Sequence, residues 1–102
     1  MEFDGFDWDE GNREKCQKHG VCLRQIEELF RGVVLVGPDL WHSAVEERFR
    51  AIGRAADGRG IFVAFTWRAR ANQRLIRPVS ARYMHQKEIV AYEKKIPASE
   101  NR

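Results

Sequence analysis

The sequence predicts an α+β fold: an antiparallel sheet of about four strands, with N-terminal helices and a C-terminal helix packed on one face. Three observations lead there. Apolar residues at three-and-four spacing mark a helix toward each end, Leu23, Ile26, Leu29 and Phe30 in one and Ile89, Tyr92 and Ile96 in the other. Between them lie short β-branched and aromatic runs. Turn signals separate those runs: Gly37-Pro38-Asp39, Asp57-Gly58-Arg59-Gly60 and Arg70 to Asn72.

In chain order, Phe6-Asp7-Trp8 alternates as a short strand does, and Asp9 is placed to cap a polar helix from Glu10 to His19. Gly20 ends that helix where a left-handed residue is needed. A second helix runs from about Cys22 to Arg31, and Gly32 stops it. Val33 to Val36 forms a strand, Trp41 to Ala44 a loop. Val45 to Ile52 is a strand with Val45, Phe49 and Ala51 turned inward and Glu46, Arg48 and Arg50 turned the other way. Ile61 to Trp67 is apolar on both parities, which suits a central strand. Arg74 to Ser80 is a further strand, in which Pro78 implies an edge, a bulge or an irregular end. The last helix runs from about Tyr83 to Ile96, before Pro97. At 102 residues the chain suits one domain, with residues 1–5 and 97–102 as tails.

Charge is concentrated. Between Arg48 and Arg82 stand nine arginines (Arg48, Arg50, Arg54, Arg59, Arg68, Arg70, Arg74, Arg77 and Arg82), no lysine, and a single acid, Asp57. The whole chain carries a net charge of only +3, so this stretch dominates the balance. A generic solvated surface mixes lysine with arginine and intersperses carboxylates. Arginine alone suits a grip on phosphate by a planar, permanently charged fork. Solvated caps on a small sheet are the blander reading of the same string. Strand parity also limits convergence: Arg74 and Ser80 share a side and Arg77 has the opposite parity, unless Pro78 marks a bulge that shifts the parity locally.

Other classes recede. No apolar run approaches the roughly 18 residues that span a bilayer. The acidic start MEFDGFDWDE lacks a signal-peptide pattern, so a cytoplasmic protein is expected. Cys16, His19 and Cys22 read C-x2-H-x2-C, a poor match to the paired spacings of structural zinc, and thiols without metal or disulfide are expected.

Cleaving RNA without a metal requires a base for the 2′-hydroxyl, a cation for the developing phosphorane charge, and an acid for the leaving oxygen. The arginines suit the middle task. His19 is the best candidate for proton transfer, since imidazole changes charge near neutral pH; it reads equally as the cationic end of a helix. His42 and His85 are weaker candidates. Glu46-Glu47 offers a carboxylate base, or a salt-bridged strand pair. Trp41, Trp67 and Tyr83 are candidates for base stacking, with Trp67 more at home in the core. Tyr92 reads as a packing residue with a satisfied hydroxyl.

The string Phe6-Asp7-Trp8-Asp9, Asn12 with Lys18-His19-Gly20-Val21, Glu46 to Gly53, Phe65-Thr66 with Arg68, and Ser80-Ala81-Arg82 with Glu88 and Tyr92-Glu93 resembles the BrnT family of bacterial type II toxins. The likeness runs from about Phe6 to Glu93, in order and nearly ungapped. It implies a RelE/ParE-like fold, a ribonuclease that blocks translation, no cofactor or metal, and a BrnA-type antitoxin. That antitoxin's ribbon-helix-helix domain carries the pair to operator DNA. By motif position it implies catalytic roles for Lys18, His19, Glu47, Arg48, Arg77 and Arg82, with Arg50, Arg68, Arg74 and Ser80 along the RNA. The chain departs from the family pattern at Pro78-Val79, where relatives carry two isoleucines, and at Tyr83-Met84-His85, where the last helix usually opens on alanine and a small hydroxyl. The other class of reading is a non-catalytic basic module that binds nucleic acid or an acidic partner.

Overall fold

Five strands and three helices follow one another as β1 (Gly5–Phe6), α1 (Glu10–Gln17), α2 (Leu23–Arg31), β2 (Val34–Pro38), β3 (Phe49–Arg54), β4 (Gly60–Arg70), β5 (Gln73–Tyr83) and α3 (Gln86–Lys95), in a computed structural model that describes residues 1–39 and 46–95. The strands form one sheet in the order β1-β5-β4-β3-β2. β2 to β5 make the expected antiparallel meander, and β4 is central. The sheet has five strands, not about four, and it is mixed: β1 joins β5 in parallel, with Gly5 opposite Leu75 and Phe6 opposite Ile76. Two residues of alternating pattern give a sequence reader no direction, so the parallel pairing was not legible. The region of Trp41, His42 and Val45, like Ile96 and the tail after it, lies outside the described residues.

Local chemistry explains the elements. Asp9 caps α1 by accepting the Asn12 amide at 3.0 Å, while the Asn12 side chain accepts the Asp9 amide at 2.7 Å. Gly20, at φ +92°, ends the turn that follows. The β4–β5 hairpin turns on Ala71 and Asn72, both left-handed, the geometry that matches strand twist in a two-residue loop. β5 extends to Tyr83, which still pairs with Ile61, and the Met84 amide then bonds Gly60. The last helix therefore starts at Gln86 and not at Tyr83.

The two sheet faces are both used. Ala51, Ile61, Val63, Phe65, Ile76 and Ala81 meet Cys16 of α1, Val21 of the α1–α2 connection, and Ile26, Leu29 and Phe30 of α2, all buried. Phe30 and Phe65 pack edge to face at 5.1 Å. The opposite face carries the cross-strand row Leu35, Ile52 and Phe62, and this row packs against Met84, Ile89 and Tyr92. So α3 covers the other face, correcting the expectation that all helices share one. Apolar residues on both parities of β3 and β4 demand cover on both sides. The fit is close at Gly60, where a Cβ would lie 3.1 Å from both Ile89 and Met84. Tyr92 is buried and its hydroxyl donates to the Val33 carbonyl, as expected.

Candidate functional site

One irregularity decides which arginines meet. Along β4 and β5, Ala64 faces Ser80 but Phe65 faces Pro78, so Val79 is an extra residue, the bulge that Pro78 allowed. The slip puts Arg77 opposite Thr66 and keeps Arg82 opposite Phe62, and Phe62, Ala64 and Thr66 alternate onto one face. Arg50 faces Ala64 on β3, and Arg54 follows by the same alternation. Arg48, Arg68 and Arg70 share that parity. Seven of the nine arginines therefore line the second face of the sheet. Arg74 falls on the opposite parity and lies over the Trp67 ring at 3.7 Å, away from the other RNA-binding candidates. Arg59, in the β3–β4 turn, stacks on Tyr83 at 3.4 Å.

These cations are met by carboxylates of the same chain. Arg77 reaches Asp7 at 3.4 Å and Asp9 at 2.9 Å, and Arg70 also reaches Asp7. Arg68 pairs with Glu46 and Arg54 with Glu93. Arg82 donates from both terminal nitrogens to Glu88 and lies over Phe62 at 4.6 Å. The Arg82 guanidinium holds the Glu88 carboxyl down at about 2. Asp9 is lowered by the Asn12 amide first and by Arg77 second. Arg50 is exposed and has no carboxylate partner among the described residues; its row carries only Gly37, Ala64 and Ser80, a floor of small side chains.

The catalytic candidates divide into two neighbourhoods. An open cleft of about 600 Å3 between α1 and β5 is lined by Asp9, Asn12, Lys15, Arg77 and Val79. α1 runs alongside β5: Asn12 donates to the Pro78 carbonyl at one end, and past the other end Tyr83 donates to the Gly20 carbonyl. Lys18 and His19 follow at the C-terminal end of α1 and do not line the cleft: Gly20 beside His19 meets Tyr83, five residues along the sheet from Arg77's level, about 16 Å at ~3.3 Å per residue. His19 and Lys18 are exposed, and their side chains make no hydrogen bond among the described residues. Arg82 lies beneath α3, four residues along the sheet from Arg77's level, about 13 Å at ~3.3 Å per residue. Glu47 is exposed just before β3, at the Thr66 end of the sheet, whereas Gly20 beside His19 meets Tyr83 at the Ile61 end. The structure does not bring Glu47 to His19.

A family model described as the ribonuclease toxin, BrnT, of type II toxin-antitoxin systems matches residues 8–88. The chain belongs to the BrnT family. No curated protein matches it. As a BrnT chain it is a ribonuclease toxin of a type II system, and an antitoxin is its partner. Among the described residues of this BrnT chain, no group of three or more His, Cys, Asp or Glu gathers as a metal site, and no helix is long and apolar enough to cross a membrane.

Sequence reasoning passed over Asp7, Lys15 and Glu88 as site residues. The alternation Asp7-Trp8-Asp9 was a signal for two carboxylates on one side of the chain, but only the parallel β1–β5 pairing shows that the side is Arg77's. Of the thiols, Cys16 is buried, which pushes it up to about 11, and Cys22 is exposed. His85 is exposed at the start of α3, away from the α1–β5 cleft.

Proposed function

We propose that the chain is a metal-independent endoribonuclease, a single toxin domain of RelE/ParE-like fold that cuts RNA and so stops translation. In this reading the RNA backbone runs along α1 and β5, with Arg77 gripping a phosphate in the α1–β5 cleft and His19, helped by Lys18, moving the protons at the scissile phosphate toward the Tyr83 end. Arg48 and Arg82 neutralise phosphate charge on either side, while Arg50, Arg68 and Ser80 line the path across the sheet. Glu47, at the far end of the sheet, assists there and not at the imidazole. The observation that carries the reading is the gathering of seven guanidinium groups on one sheet face, with Arg77 of that set also lining the α1–β5 cleft.

Purified protein should cut RNA in the presence of chelator. His19→Ala and Arg77→Ala should each lower cutting roughly 100-fold or more, to a residual rate that can still be measured, while the chain stays folded. Cutting at the parental rate in both variants would refute the assignment.

A second reading is favoured by the ion pairs themselves. A face whose arginines already hold carboxylates is suited to receive them from a partner. We assign that partner as a BrnA-type ribbon-helix-helix antitoxin, which covers the face and brings operator DNA to the complex. The readings are compatible, and an antitoxin that blocks RNA access would join them. A chain that binds RNA with steep salt dependence and yields no products would instead be a non-catalytic module.

A further inference from the structure

We infer that Asp7 is a positioning residue that aims Arg77 into the α1–β5 cleft, and that Asp9 is the carboxylate an incoming phosphate displaces. This rests on the reading of Arg77 as a phosphate ligand. The two acids hold the same guanidinium but in different ways. Asp7 is fixed: its amide donates to the Ile76 carbonyl at 2.8 Å, and its own carbonyl accepts from the Asn12 side chain at 2.9 Å. Its carboxylate is 6 % exposed and lies between Arg70 Nη2 and Arg77 Nη1, each at 3.4 Å. A carboxylate that buried is tolerable only while its cations stay in place, so it keeps them there.

Asp9 is placed to let go. Its side chain is 55 % exposed; one oxygen caps α1 through the Asn12 amide at 3.0 Å, and the other accepts from Arg77 Nη2 at 2.9 Å. Releasing Arg77 leaves the cap intact and exposes a carboxylate already open to water. A phosphate taking that place gains a charge-assisted bond to a guanidinium whose direction Asp7 has set in advance. The exchange needs no strand to move. It also gives the alternation Asp7-Trp8-Asp9 a job beyond capping, because the short segment from β1 into α1 presents one buried and one exposed acid to the same guanidinium.

The test compares variants on a cleavable RNA and on the same RNA with a 2′-deoxy substitution at the cut site. Asp7→Asn should lower kcat roughly 10- to 100-fold, with affinity for the uncleavable RNA within about twofold of the parent. In an Arg77→Ala background the same change should cause no further loss. Asp9→Asn keeps a good cap and should tighten binding of the uncleavable RNA. An Asp7→Asn chain that melts normally and cuts at the parental rate, or a loss additive with Arg77→Ala, would overturn the positioning role. If Asp7→Asn does not fold, Asp9→Asn decides: binding unchanged or weakened sinks the exchange. Wild-type cutting by Arg77→Ala would instead remove the underlying phosphate assignment, a result separable from the others.

Discussion

Arg82 and Glu88 are joined at both ends, Nη1 to Oε1 at 2.7 Å and Nη2 to Oε2 at 2.9 Å, so one bidentate pair fastens α3 to the sheet face that holds the arginines. Glu88 also accepts the His85 amide at 2.8 Å, anchoring the start of the helix.

That pair makes stability depend on pH in a defined direction. The folded carboxyl is lowered from 4.5 to about 2, so its contribution is present above the unfolded value and is lost as pH falls toward 2. Glu88→Gln should lower the melting temperature at pH 7 by a few degrees, the size of about 1 kcal/mol in a chain of this length. At pH 2 the variant and parent should melt nearly together. Parallel melting curves at both pH values would show that the pair contributes nothing.

Asn12 is a second junction, buried and fully used. Its side chain accepts the Asp9 amide and donates to the carbonyls of Asp7 and Pro78, tying the α1 cap to the β5 bulge. Asn12→Ala should destabilise by about 2–4 kcal/mol, from a weakened cap and two carbonyls left without a donor. Denaturant unfolding measures this directly.

In the core, Phe65 touches the rings of Phe30, Phe49 and Trp67 and is fully buried. Phe65→Ala should cost about 3–5 kcal/mol and leave the chain largely unfolded at 37 °C. An equal loss from Val90→Ala, on the exposed side of α3, would contradict this placement of the core.

The thiols should separate by reactivity. Exposed Cys22 should alkylate at once at pH 8, while Cys16, buried and held near 11, should react only after unfolding. Mass spectrometry with and without denaturant distinguishes one label from two.

Arg50 offers a clean probe of RNA contact, being exposed and unpaired with any acid among the described residues. Arg50→Ala should weaken RNA binding and flatten the dependence of log affinity on log salt by roughly 0.7, the loss of one single-strand phosphate contact. An unchanged slope would place the RNA elsewhere.

By itself the sequence determined the local elements: Asp9 as a cap, the apolar face of α2, β4 as the centre, Tyr92 as a packing residue, and family membership through the motif string. All but the last depend on neighbours within a few residues, where periodicity and capping chemistry act, and the motif string is legible because its pieces keep their order along the chain. The tertiary structure alone decided which side α3 covers, that β1 joins as a parallel fifth strand, and which groups each arginine meets. Those outcomes hinge on pairing between distant segments, and a single extra residue at Val79 reverses which face Arg77 serves. Spacing in a chain carries no record of that register, because register is fixed by the sum of contacts across the whole sheet.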